Sequence, residues 1–149
     1  IAMSDISKRF EQVVIKTHKK FIDEGRLYPV KTSDGILVGD ILIICDGPYK
    51  HIIKNQEAVY TDICLNDAAI KIANLLALGK STQDCNKIFQ ADREYNRLYV
   101  ERAMLLAAYH SSLESRDYFK AEVLWARYCE IKTKAAAAKK KAQRIASFL

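Results

Sequence analysis

The feature that most constrains this chain is the absence of glycine and proline from its last 70 residues. The final proline is Pro48 and the final glycine is Gly79, so positions 80–149 contain neither residue. Proline and glycine are the strongest interruptions of helical structure. We therefore expect this part of the chain to be almost wholly helical.

Two apolar patterns divide the helical part. Each advances in alternating steps of three and four residues, the spacing of a packed helix seam. The first seam is Cys85, Ile88, Asp92, Tyr95, Tyr99, Arg102, Leu106, Tyr109 and Leu113. The second seam is Ala121, Leu124, Tyr128, Ile131, Ala135, Ala138, Ala142, Ile145 and Leu149. Because the two registers do not join, we predict a long antiparallel helical hairpin over 82–149 that reverses near 115 and 116.

The predicted hairpin places large side chains opposite small ones. Asp117 can cap the second helix, and the reversal brings Tyr95, Leu98 and Tyr99 opposite the alanines of 135–138. The same register sets Leu106 opposite Trp125. Large residues facing small ones allow two helices to pack closely. We therefore expect the alanine face of the second helix to be buried.

The first half of the chain predicts smaller elements. Apolar residues at helical spacing predict an amphipathic helix over 4–24. β-branched runs cut by turn residues predict a small antiparallel sheet of about three to five strands over 27–64. A short helix over 66–78 follows and ends at Gly79. The prediction is a helix-dominated α+β fold, with residues 1–149 forming a single domain.

The net charge is concentrated in one short segment. The chain has 24 Lys and Arg against 18 Asp and Glu, a formal charge of +6. Residues 132–144, KTKAAAAKKKAQR, contain six basic side chains and no acidic one. These six are Lys132, Lys134, Lys139, Lys140, Lys141 and Arg144. The rest of the chain is therefore neutral overall.

This basic segment has two interpretations. Lysines near a helix C-terminus are favoured by the helix dipole, and Asp84, Asp92 and Glu94 of the opposing helix could pair with them. The segment would then be a solvated or partner-facing helix surface. Alternatively, the six side chains could contact nucleic-acid phosphates without reading the base sequence. The sequence leaves both interpretations open.

No residue pattern predicts catalysis, a cofactor or a metal site. His18, His51 and His110 have no nucleophile pattern beside them, so we expect no enzymatic activity. The acidic residues Asp34, Asp40 and Asp46 each adjoin a glycine, which is the pattern of tight turns, and their spacing does not fit an EF-hand loop. Cys45, Cys64, Cys85 and Cys129 lack zinc-ligand spacing, so we expect reduced thiols in a reducing cytosol.

The surface and the chain ends give further expectations. Two helices cannot cover Phe89, Val100, Leu105 and Val123 as well as their own seam, so we expect the first helix or a second subunit to pack there. A homo-oligomer or a protein partner follows from this reasoning. The longest apolar runs are shorter than a membrane span, so we expect no membrane partner and a cytoplasmic location. We expect the natural chain to begin at Met3, with no signal peptide.

Two segments carry a resemblance. Residues 51–76, HIIKNQEAVYTDICLNDAAIKIANLL, and residues 117–142, DYFKAEVLWARYCEIKTKAAAAKKKA, resemble small uncharacterised proteins encoded by tailed phages of marine bacteria. The shared features are a hairpin with VYTDI, an alanine-rich helix and a DY start to a long helix. The resemblance implies a phage-related protein in the host cytoplasm, with no established activity and no functional residue to carry over.

The functional expectation follows from all of these observations. We predict a non-enzymatic interaction or structural protein that acts through its long helical hairpin. The alternative is a sequence-independent nucleic-acid-binding protein that uses the basic segment of its last helix.

Overall fold

The computed structural model describes residues 27–148 of the protein. The predicted helix over 4–24 lies outside the described residues and stays a prediction. The chain divides into two compact units, Ile1–Asn86 and Lys87–Leu149, which are described separately below.

The first unit contains a five-stranded antiparallel meander in which each strand pairs with the next one in the chain. The strands are β1 (Val30–Lys31), β2 (Ile36–Val38), β3 (Ile41–Asp46), β4 (Tyr49–Lys54) and β5 (Glu57–Ile63). The small antiparallel sheet predicted for 27–64 is therefore confirmed.

The turns of the meander explain several polar residues. Asp34 and Asp40 lie in the first and second turns, and Asp46 directly precedes the third. Since successive turns of a meander lie at opposite ends of the sheet, Asp40 is at the other end from Asp34 and Asp46. The turn interpretation is confirmed. In the fourth turn, Asn55 and Gln56 have φ angles of 50° and 65°, as a type I′ hairpin turn requires.

An apolar row runs across the sheet and forms the core of the first unit. The paired residues Ile43 and Ile52 are fully buried, and Tyr60 continues the row on β5. Helix α1 (Asn66–Ala77) packs mainly against β3 and contributes the buried Ile72 and Ala73. Buried β-branched residues on paired strands give this unit a densely packed centre.

The two ends of α1 are formed differently. The predicted helix over 66–78 begins at Asn66, with Leu65 at the N-cap position and no side chain capping the helix. The end at Gly79 is confirmed. Gly79 has φ of 68°, its N–H donates to the Leu76 carbonyl at 3.1 Å, and the Lys80 N–H donates to the Leu75 carbonyl at 2.9 Å. These two hydrogen bonds form a Schellman motif.

Two long helices complete the described chain: α2 (Thr82–Glu114) and α3 (Tyr118–Phe148). The turn between them is a second Schellman motif, in which Arg116 has φ of 58° and the Asp117 N–H donates to the Ser112 carbonyl at 3.0 Å. Asp117 also starts α3, because its Oδ1 accepts a hydrogen bond from the Lys120 N–H at 3.2 Å. The reversal near 115 and 116 and the Asp117 cap are confirmed.

The alanine face of α3 is buried against α2. The buried Leu98 packs with Ala135 and Ala138, and Tyr95 and Ile131 flank this cluster. The buried residues of α3 are all alanines: Ala121, Ala135, Ala138, Ala142 and Ala146. The predicted antiparallel helical hairpin, with large side chains of one helix over small ones of the other, is therefore confirmed.

The α2 seam differs from the prediction at two positions, Tyr99 and Leu113, whereas Cys85 and Asp92 are fully buried and Leu106 is half-buried as predicted. The row through Ile88, Tyr95, Arg102 and Tyr109 is buried or half-buried as predicted. In the second row, however, Leu98 is buried while Tyr99 is 42% exposed, and Ser112 is buried while Leu113 is exposed. Leu98 can bury its whole side chain, whereas the Tyr99 hydroxyl favours water. Ser112 tolerates burial because its hydroxyl donates to the Ala108 carbonyl at 2.9 Å.

Candidate functional site

The six basic side chains of residues 132–144 all lie on the exposed surface of α3. We call them the basic face: Lys132, Lys134, Lys139, Lys140, Lys141 and Arg144. Their position follows from the packing of the helix. Since Ala135, Ala138 and Ala142 face α2, helix geometry turns the residues between them outward. The structure therefore brings all six predicted residues onto one accessible surface.

The basic face is largely unneutralised. The Lys134 ammonium lies 3.2 Å from the Glu130 carboxylate one turn earlier. Within residues 27–148, no carboxylate forms an ion pair with the other five basic side chains. Within the second unit, Glu94 forms no ion pair with the basic face among the described residues, and Asp92 is fully buried. The positive charge of this surface is therefore available to an external anion.

The hairpin also exposes large apolar side chains away from its seam. These outer apolar residues are Val100, Met104, Tyr118, Phe119 and Val123. Met104 is 68% exposed and Phe119 is 80% exposed. Of the four positions expected to need a cover, Val100 and Val123 are exposed, whereas Phe89 and Leu105 are half-buried. Sequence reasoning did not identify Met104 or Phe119, although both fall outside the predicted seams.

A shallow groove of about 470 Å³ follows the outer side of α2. Its described lining residues are Arg97, Val100, Glu101, Met104, Leu105 and Ala108. Arg97 and Glu101 lie one turn apart, with 3.7 Å between their charged groups. An open groove with an apolar floor and a polar end is suited to hold a protein side chain or helix, and too open to enclose a small molecule.

A second, polar depression of about 520 Å³ continues along the same helix. Its described lining residues are Gln90, Arg93, Glu94, Asn96 and Arg97. The side-chain oxygen of Asn96 is buried here and accepts no hydrogen bond. The outer side of α2 thus changes from polar to apolar along its length, which no pattern in the sequence indicated.

The aromatic rings of the hairpin form a connected group near the turn. The Trp125 ring lies 5.0 Å from Tyr109 on α2 and 5.2 Å from Tyr128 on α3, measured between centroids. These rings are engaged with one another rather than spaced along the basic face. The contact joins the two helices near their turn, and the predicted position of Leu106 opposite Trp125 stays a prediction.

The first unit contains two contacts between polar side chains. His51 Nε2 lies 3.6 Å from the Asp46 carboxylate, which is itself largely exposed. The Tyr60 hydroxyl donates to Asn86 Oδ1 at 2.7 Å. Burial raises the pKa of Tyr60, and the nearby Cys85 raises it further. A phenol with a raised pKa stays protonated at neutral pH, so this contact is a hydrogen bond that holds β5 to the start of α2.

Cys85 is a buried thiol rather than a reactive one. Burial raises the pKa of its thiol, the charge of Asp84 raises it further, and a backbone hydrogen bond opposes these effects. Its sulfur lies 3.9 Å from the Ile72 carbonyl. Because the thiolate is the nucleophilic form, a raised pKa makes Cys85 a poor nucleophile at neutral pH. Cys45 and Cys129 are exposed thiols.

Between residues 27 and 148, no three His, Cys, Asp or Glu side chains are grouped so that they could hold a metal ion. No helix in that range combines the length and apolar composition of a bilayer span.

No family model, curated protein or solved structure matches this chain. The resemblance to phage proteins stays a prediction.

Proposed function

We propose that this protein is a non-enzymatic interaction protein that works through the outer surfaces of its helical hairpin. The observation that carries this proposal is the exposure of Met104 and Phe119, two large apolar side chains outside the seam. Exposed apolar groups that are not needed for packing are typical of binding surfaces. The open groove beside Met104 offers a place where a partner helix could lie.

The partner we propose is protein, in the first instance a second copy of this chain. A cytoplasmic location and a phage-related origin belong to the same proposal. The resemblance of residues 51–76 and 117–142 to phage proteins supports the origin, and the reduced-thiol expectation supports the location.

Light scattering on the purified protein tests self-association. A mass of at least twice 17.0 kDa is expected for the wild type. Met104→Glu should shift the mass toward that of the monomer, because it places a charge beside the groove. Lys87→Glu, an exposed site elsewhere on α2, is the control and should leave the mass unchanged. A wild-type protein that is monomeric at high concentration would contradict self-association.

A second candidate function is sequence-independent nucleic-acid binding by the basic face. The observation that favours it is specific: within the described residues, five of the six basic side chains have no carboxylate partner. Unpaired lysines and arginines on one surface contact phosphates and release counterions, so the binding should weaken steeply as salt is added.

Titration of fluorescent polynucleotides with the full chain tests this candidate. Binding that declines steeply between about 50 and 200 mM salt is the expected result. Changing Lys139, Lys140 and Lys141 to Glu should abolish it. Absence of binding at about 50 mM salt would contradict the candidate, since electrostatic association is strong under that condition.

A further inference from the structure

The basic side chains are arranged in a definite order around α3. With about 100° of rotation per residue, Lys132 and Lys139 fall on one edge of the exposed surface. Lys134 and Lys141 fall on the opposite edge, about 200° away around the outer side. The surface between the edges begins with the small exposed residues Thr133, Ala136 and Ala137. Lys140 and Arg144 continue this central strip toward the end of the helix.

This arrangement has the shape required to enter a groove bounded by phosphates. A helix is about 10–12 Å across with its side chains, and the major groove of B-form DNA is about 12 Å wide. Thr133, Ala136 and Ala137 would enter the groove first, and their small side chains keep the helix narrow there. The two basic edges would then face the opposite walls of the groove. The distance from Lys132 to Arg144 is about 18 Å along the helix, which matches about five phosphates on each strand.

We propose that the basic face of α3 binds duplex DNA by placing its strip of Thr133, Ala136 and Ala137 into the major groove, with phosphates of both strands held by the two basic edges. This inference rests on the nucleic-acid-binding candidate and specifies its ligand. The buried alanine face lies against α2, so the exposed surface is the one turned away from the rest of the hairpin.

The chemistry of the strip argues against readout of base sequence. Alanine offers no hydrogen-bonding group, and the Thr133 hydroxyl already donates to the Cys129 carbonyl at 3.1 Å. Direct readout depends on donors and acceptors that reach base edges. Lys140 and Arg144, farther along the strip, carry its remaining donors, and such side chains contact guanine edges as well as phosphates, so any sequence preference is confined to these two residues.

Other polyanions fit this surface less well. Single strands are usually held by stacking on several exposed rings, and among the described residues 129–148 the one aromatic side chain is the exposed Phe148. The major groove of an A-form RNA duplex is too narrow and deep for side chains to enter. An anionic membrane requires an apolar helix face next to the basic one, whereas the alanines beside the basic face are buried and the exposed Tyr118, Phe119 and Val123 lie at the other end of α3.

Fluorescence anisotropy with the full chain tests the proposal. The probes are a DNA duplex of about 20 base pairs, an RNA duplex of the same sequence, a DNA single strand and phosphatidylserine vesicles. The DNA duplex should bind at least about tenfold more tightly than the RNA duplex. We count about five phosphate contacts, one for each basic side chain that has no carboxylate partner within the described residues. A plot of the logarithm of the binding constant against the logarithm of salt concentration should then have a slope of about −4.5.

Three variants separate groove entry from simple charge attraction. Lys139→Glu with Lys141→Glu removes one residue from each edge and should weaken DNA binding at least about tenfold. Lys120→Glu with Arg127→Glu makes the same charge change on α3 outside the basic face and should have a much smaller effect. Ala136→Trp keeps every charge but widens the leading surface, so it should weaken binding to the DNA duplex while binding to heparin stays unchanged.

The possible failures point to different conclusions. Equal affinity for the DNA duplex, the RNA duplex and vesicles, or insensitivity to Ala136→Trp, would overturn groove entry while leaving phosphate binding in place. Equal loss in the two double variants would also overturn it. Absence of binding to every polynucleotide at about 50 mM salt would contradict both binding in the major groove and the candidate function of nucleic-acid binding.

Discussion

The two halves of α3 pack against α2 in different ways. Near the turn, Trp125 and Tyr128 meet Tyr109 as a group of large rings, and Trp125 remains 45% exposed. Farther along, Ala135 and Ala138 receive the large side chain of Leu98 and are themselves fully covered. We call these the aromatic half (118–128) and the alanine half (131–146). Apolar surface is buried completely where large faces small, and incompletely where large faces large.

This difference also explains where the charge is. In the alanine half, the buried residues are alanines, whose side chains do not extend onto the outer surface of α3. The outer surface there is formed by other residues, and these are mostly basic. In the aromatic half the outer surface carries Tyr118, Phe119 and Val123 instead. The hairpin thus presents an apolar surface near its turn and a basic surface at its far end. The predictions below test that contrast, in order of decreasing effect.

Truncation of Leu98 should have the largest effect. Leu98→Ala removes the large partner of the alanine half and should lower the free energy of unfolding by about 2–4 kcal/mol, because the alanines opposite cannot fill the cavity. Urea unfolding followed by Trp125 fluorescence measures it, since this is the single tryptophan of the chain. Tyr99→Ala is the matched control and should cost less than about 1 kcal/mol. Equal losses would mean that the predicted row through Tyr99, not Leu98, forms the seam.

Replacing an alanine with leucine should lower the free energy of unfolding on the buried face of the alanine half and leave it almost unchanged on the exposed face. Ala135→Leu should destabilise the protein by about 1–3 kcal/mol, because the site is fully buried and already in contact with Leu98. Ala136→Leu, one position along on the exposed surface, should change stability by less than about 0.5 kcal/mol. The same urea unfolding experiment compares them. A larger loss of stability in Ala136→Leu than in Ala135→Leu would mean that Ala136, rather than Ala135, faces α2.

Truncation of Trp125 should lower the free energy of unfolding by less than truncation of a fully buried tryptophan would. Trp125→Ala should lower the free energy of unfolding by about 1–2 kcal/mol, below the value for a fully buried tryptophan, because much of the ring is exposed. Circular dichroism must replace fluorescence for this variant. Phe119→Ala is the control in the same half and should be close to neutral. A loss larger than that of Leu98→Ala would reverse our ranking of the two halves.

The turn that joins the two helices should give the smallest effects. Asp117→Ala removes the cap of α3 and should destabilise the protein by about 1 kcal/mol. Arg116→Gly should stabilise it by up to about 1 kcal/mol, since glycine adopts the positive φ of this position without steric cost. Thermal unfolding of the two variants checks the opposite signs. A loss of stability in Arg116→Gly would mean that its side chain contributes more than its backbone strain removes.

Much of this architecture could be predicted from local chemistry. Gly79, Ser81 and Asp117 mark helix ends because each supplies a conformation or a hydrogen bond that an end requires; for example, Ser81 Oγ accepts from the Gln83 N–H at 3.1 Å. The exposure of the basic face followed from placing the alanines inside. These inferences needed only helix geometry and the properties of single residues.

The errors occurred where a choice depended on a partner. A repeat of threes and fours allows two phases, and whether Leu98 or Tyr99 enters the seam is decided by the surface of α3. The predicted pairing of the basic face with Glu94 is absent from the described ion pairs for a similar reason, since charge alone does not show whether two side chains can reach each other. The basic face could be predicted from the sequence, but the exposure of Met104 beside a groove could not.

The distance between two spin labels tests the hairpin most directly. Labels at Glu94→Cys and Lys139→Cys, both exposed, would be placed in a chain whose native cysteines are replaced by Cys45→Ser, Cys64→Ser, Cys85→Ala and Cys129→Ser. Antiparallel helices with axes about 8–10 Å apart predict a narrow distribution within about 15–30 Å. A continuous helix would separate the two sites by about 68 Å, and a distribution centred near that value would contradict the account.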